Sequence, residues 1–147
     1  MKTLYRRVIL LVLTVSVLFV FSCKTNEKKN STLQTKVDRN KYDLLAETIT
    51  KSCPVMLDEI VRVDSVQYNR KENALIYNYS IINIKKSDYP ASAVDLTAGM
   101  MRDAMLSKLK GMVAMNMYRN DKIKLVSVFR DMEGKELFAF DFKHTEY

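Results

Sequence analysis

Histidine occurs once in the 147 residues, cysteine and proline twice each, glycine three times, and tryptophan is absent. Each scarcity removes a class of chemistry. One His144 and one or two thiols cannot assemble the closely spaced donor set of a zinc centre. Three scattered glycines supply no Gly-rich loop to cradle a phosphate. No residue lies near Cys53 in sequence to make a Cys–His nucleophile pair. Neither a metal nor a cofactor is therefore expected.

The most informative stretch is the first 23 residues. Lys2, Arg6 and Arg7 precede an uncharged run of 14 residues, Val8 to Phe21. That length suits the core of an export signal and falls short of the roughly 20 residues a membrane-spanning helix needs. The run closes on Val20-Phe21-Ser22-Cys23. An aliphatic residue three before a cysteine and a small one just before it resemble the lipobox of bacterial lipoproteins. The resemblance implies a signal peptide over 1–22, cleavage before Cys23, and acylation of Cys23. It further implies a membrane-tethered protein in the bacterial cell envelope, facing the periplasm or the exterior. With Cys23 lipidated, Cys53 is left without an internal disulfide partner.

The net charge of +7 hints at nucleic acid until it is placed along the chain. The leader holds three of the 24 basic residues, and residues 24–41 hold six more against Glu27 and Asp38. That leaves 15 basic and 15 acidic residues over 42–147. Nucleic-acid binding needs the charge clustered on the folded part, so it is not expected here. Residues 23–39, polar and without an apolar period, read as the lipidated cysteine and a flexible tether. Their lysines suit a place beside anionic headgroups.

A single α+β domain is expected over 40–147. Tyr42, Leu45, Ala46, Ile49 and Cys53 make one helical stripe over about 40–53, which Pro54 ends. Strand patterns follow over 56–68, with a phase change near Asp64-Ser65 that indicates a bulge, and over 74–84. A second helix with a core stripe from Val94 to Met112 is predicted to start on a Ser92–Asp95 capping box and extend to about 117. Strands over 123–130 and 136–143 complete the chain. Two α-β-β units then form a four-stranded antiparallel sheet with both helices on one face.

Cys53-Pro54, Asp58-Glu59, Arg62-Val63-Asp64-Ser65-Val66 and Leu75-Ile76-Tyr77-Asn78-Tyr79 together resemble segments shared by small exported bacterial proteins of unassigned function. That resemblance covers roughly residues 45–80 and implies no activity.

Asp58, Glu59, Arg62 and Asp64, with Tyr77 and Tyr79 on the next strand, are the candidate interaction residues. Two carboxylates and an Arg can do acid–base work or hold an ionic ligand; a solvated sheet face with ion pairs uses the same residues for nothing. Cys53 sits where a helix ends, an unfavourable place for a thiolate. Six of nine methionines fall between 100 and 117. Met112, Met115 and Met117 have a spacing open to Cu(I), while core filling is the ordinary use. The favoured reading is a lipid-anchored, non-enzymatic envelope module that contacts another envelope protein or a cell-wall component. The alternatives are a thiol or acid–base enzyme using Cys53 or the charged cluster, and a small-ligand carrier whose pocket Tyr77 and Tyr79 would line.

Overall fold

A computed structural model describes residues 39–147. The signal peptide, Cys23 and residues 24–38 of the expected tether lie outside the described residues.

Helix α1 spans Arg39–Lys51. Tyr42 and Ala46 are buried, and Leu45, Ile49 and Cys53 pack against the same core, so the predicted stripe faces inward. Its last turn tightens through the Ser52 and Cys53 amides, which donate to Ile49 and Thr50 carbonyls, before Pro54 stops it.

Five strands follow: β1 Val55–Met56, β2 Val61–Asn69, β3 Ala74–Ile81, β4 Lys124–Arg130 and β5 Glu136–Phe142. They lie side by side in sequence order. β1–β2, β2–β3 and β4–β5 are antiparallel, whereas β3 and β4 run parallel. The α+β class holds; the all-antiparallel, four-stranded arrangement does not. The reason is the connection. Residues 82–123 return the chain to the end of the sheet where β3 began, and a helical crossover of that length makes neighbouring strands parallel. The stretch predicted as one strand over 56–68 is also divided, because residues 57–60 turn β1 back onto β2.

Beyond two-residue β1, the edge of β2 is closed by a side chain. The Thr50 hydroxyl accepts from the Val66 amide at 2.8 Å and donates to the Val66 carbonyl at 2.7 Å. It takes the place of a ladder partner and fixes α1 to the sheet. The expected bulge is present, with a register shift between Val63 and Ser65.

The crossover holds α2, Ala91–Gly111, and α3, Met115–Asn120. The second predicted helix thus stops at Gly111, and Met112 adopts an extended conformation (φ −90°, ψ 118°). The Ser92 capping box does not form either. Pro90 is the N-cap, which places Ser92 inside the first turn. Arg119 of α3 then serves the end of α2: its Nη2 donates to the Leu109 and Lys110 carbonyls at 3.2 and 3.1 Å. These are orphan acceptors of a helix C-terminus, where positive charge is also favoured.

All three helices and the inner sheet face share one buried cluster. At its centre Phe129 is 1% exposed and stacks on Tyr79 with ring centroids 4.6 Å apart, while Phe138 and Phe140 close around it.

At the end of the sheet where β3 and β4 finish, Asp131 is the one buried acidic residue among those described. Its carboxylate accepts backbone N–H groups of Lys86, Glu133 and Lys135 at 2.8–2.9 Å. It joins the β3–α2 loop to the β4–β5 turn. These bonds, led by that from Lys86, hold its pKa below the ordinary 3.8. A depressed carboxyl stabilises the fold above its unfolded pKa, and that contribution disappears as pH falls through the folded value. Asp131→Asn should therefore melt lower at neutral pH and show a flatter loss of stability below about pH 4. Thermal melts of both proteins across a pH series check this; superimposable curves would remove Asp131 from any structural role.

Candidate functional site on the open sheet face

The expected site residues do not come together. Alternation along β2 and β3 sorts them onto opposite faces. Val63 pairs with Tyr79 and Val66 with Tyr77, all four buried on the helix-covered side. Arg62 pairs with Ser80, one residue out of phase, on the open side, which no described helix covers. Tyr77 and Tyr79 are core residues and not an interaction surface, and no pocket can be lined jointly by them and the charged cluster. Burial pushes the Tyr79 phenol up, opposed by its hydrogen bond with Ser127.

The charged residues separate further. Asp58 caps the turn into β2, its Oδ1 accepting the Ile60 and Val61 amides at 2.8 and 2.7 Å. Glu59 is exposed on that turn. Arg62 and Asp64 meet, Nε donating to Oδ1 at 2.6 Å.

That pair opens a network which the sequence did not reveal. The Ser80 hydroxyl donates to Asp64 Oδ2 at 2.5 Å. One row further, Asn78 donates through Nδ2 to Ser65 Oγ at 3.2 Å and accepts through Oδ1 from Arg130 at 2.9 Å. The bulge makes this possible, since the extra residue at Asp64 puts both Asp64 and Ser65 on the open face, between buried Val63 and Val66. The alternation of Tyr77-Asn78-Tyr79-Ser80 was a legible sign that Asn78 and Ser80 face away from the tyrosines. Arg130 carried no such sign, because the β3–β4 register decides its position. Next to the network, Ile76, Val126 and Val128 form a half-exposed apolar row-pair on the same face. The result is a shallow surface, apolar at its middle and hydrogen-bonded along one side.

Cys53 is half-buried and donates through Sγ to the Ile49 carbonyl at 3.3 Å. Desolvation raises its pKa, and the charge of Asp64 adds to the effect. A thiol held in the neutral form is a poor nucleophile. It should react with a maleimide more slowly in the native protein than free cysteine does, and reach the free rate on unfolding. Equal native and unfolded rates would restore a reactive thiol.

The methionines divide between environments. Met101 and Met115 are buried, Met105 and Met112 pack partly buried, and Met100 and Met117 are exposed. Among the described residues no three His, Cys, Asp or Glu side chains are grouped to hold a metal ion. No described helix is long and apolar enough to cross a membrane.

A family model described as a domain of unknown function, DUF8479, matches residues 24–138. The chain belongs to the DUF8479 family. No curated protein is significantly similar to it in sequence. Among solved structures, a Pseudomonas aeruginosa protein described as secreted superposes with a TM-score of 0.56 at 12% identity, covering 80% of this chain and 98% of its own. The pilotin EpsS of the Vibrio vulnificus type 2 secretion system gives a TM-score of 0.53 at 9% identity, covering 74% and 89%. At such identities the likeness is one of fold. This DUF8479 member therefore shares an architecture with those two proteins.

Proposed function

We propose that this DUF8479 protein is a lipid-anchored component of the bacterial cell envelope, acylated at Cys23, which acts by binding another envelope protein or a cell-wall component rather than by catalysis. The observation that carries the reading is the open sheet face. Its polar groups are already paired with one another, so they offer a preformed surface and no converging acid, base and nucleophile. Such surfaces, apolar in the middle and polar at the margin, are what protein interfaces are made of. Two further facts support the envelope setting. The family match begins at residue 24, immediately after the expected acylated cysteine. One protein of the same architecture is a pilotin from a secretion system.

Anchoring is tested by Cys23→Ala, which should abolish incorporation of labelled palmitate and release the protein from the membrane fraction. Unchanged labelling would end the lipoprotein reading. For the partner, a photo-crosslinking residue at Val128 should yield one discrete adduct in intact cells, lost on Arg130→Glu. A crosslinker at exposed Leu44, on α1, serves as the comparison position. Identical adduct patterns from both positions would show that the open face is not the contact surface.

A further inference from the structure

The near-neutral folded domain is strongly polarised along its length. The strand directions define two ends. At one lie the start of α1, the β2–β3 turn, the α2–α3 region leading into β4, and the residues after β5. Residue contacts hold these parts together: Lys41 Nζ and the Tyr42 hydroxyl both reach Asp121, at 3.1 and 2.6 Å, and Asn73 donates to the Asp121 and Lys122 carbonyls. Over 39–43, 69–73, 108–124 and 141–147 there are ten basic and five acidic residues. At the other end lie the 57–60 turn, the loop from 82 to the first turn of α2, and the β4–β5 turn. Over 57–60, 82–95 and 131–136 there are three basic and seven acidic residues.

The basic end is also the end where the chain enters the domain. Arg39 begins α1 there, and only 15 residues, 24–38, lie between it and Cys23. Fully extended, that connection spans at most roughly 55 Å, which bounds how far this end can stand from a lipid on Cys23, and the acidic end has no such direct link. Several positive charges on it are not spent on ion pairs. Lys71, Lys110 and Lys122 are exposed and form no salt bridge among the described residues. Each Lys that reaches an anionic leaflet raises partitioning about fivefold.

The geometry points to the basic end as a docking surface for anionic lipid headgroups. On this assignment the domain stands on the membrane through the β2–β3 and α3–β4 turns and presents its acidic end, with Asp58, Glu59 and the β4–β5 turn, to the envelope space. The inference rests on the lipid-anchor reading and adds an orientation to it.

The absence of tryptophan makes the test direct. Asn120→Trp places a single Trp at the basic end, and Met132→Trp places one on the exposed turn at the acidic end. Each full, processed protein is reconstituted into vesicles of brominated phosphatidylglycerol, or of brominated phosphatidylcholine. The expected result is loss of most fluorescence from Trp at position 120 in phosphatidylglycerol alone, with position 132 bright in both. Adding Lys71→Glu and Lys110→Glu to the Asn120→Trp protein should restore its fluorescence, with an unchanged melting curve showing that the fold is intact. Equal quenching at positions 120 and 132, or equal quenching at 120 in the two lipids, overturns the orientation while leaving the anchor in place. If the protein carries no fatty acid, the anchor reading fails separately. The same soluble proteins are then mixed with phosphatidylglycerol vesicles, where quenching confined to position 120 still supports the surface and its absence refutes it.

Discussion

Phe129→Ala should lower stability by about 3–5 kcal/mol, the cost of removing a phenyl ring from a well-packed site and leaving its volume empty. Phe129 lies on β4, between the two hairpins, where the parallel β3–β4 pairing joins them. Its ring stacks on Tyr79 at an interplanar angle of 12° and meets Phe138 at 5.1 Å and Phe140 at 5.8 Å. The site can collapse little, because three of its walls are other aromatic rings. A fall in melting temperature of more than about 10 °C is the corresponding observable for a domain of this size. Phe129→Leu, which keeps much of the volume, should lose considerably less. A Phe129→Ala protein that melts within a few degrees of the parent would show that the two hairpins do not share one core.

Arg119→Met should cost about 1.5–3 kcal/mol, the range for losing hydrogen bonds made by a charged group, two of them part-buried. The guanidinium contacts four acceptors. Nε donates to the Tyr147 carbonyl at 2.6 Å, Nη1 to Asn116 Oδ1 at 2.6 Å, and Nη2 to the Leu109 and Lys110 carbonyls. It therefore ties the end of α2 to α3 and to the segment after β5, whose last aromatic, Tyr147, is buried and donates its hydroxyl to the Ile123 carbonyl. Methionine keeps the stem and removes the fork, so the loss isolates the polar contacts. Arg119→Lys should recover only part, since an ammonium cannot reach all four acceptors at once. Chemical denaturation of the three proteins checks the order. Equal midpoints for arginine and methionine would mean that the α2 terminus is satisfied without the guanidinium.

Both experiments concern the part of the molecule that local pattern could not specify. The first helix, the bulge near Asp64-Ser65 and the strands over 74–81, 124–130 and 136–142 were all legible, because each depends on neighbours within about ten residues. Tyr42 and Ala46 faced the core for the reason their spacing indicated, and Met101 and Leu109 did likewise. The leader and Cys23 are read from a composition and a short motif, and they lie outside the described residues.

The α2 break was less so. Gly111 was compatible with either outcome; the helix ends there, and Arg119, eight residues on, donates to its last exposed carbonyls. The β3–β4 register was not legible at all. Whether two hairpins join by parallel or antiparallel inner strands depends on where a 42-residue crossover delivers the chain. No local preference encodes that. The candidate site depended on the same fact. Residue types selected Asp58, Glu59, Arg62, Asp64, Tyr77 and Tyr79, but strand alternation put the tyrosines inside and the Arg–Asp pair outside. The parallel pairing alone brought Arg130 to Asn78. Sequence by itself determined the first helix, the bulge, most of the strands and the core stripes, and it carries the motif from which export is expected. Tertiary structure decided which polar residues share a surface and which end of the domain carries the charge, because both follow from strand direction, a property of the assembled sheet and not of any strand.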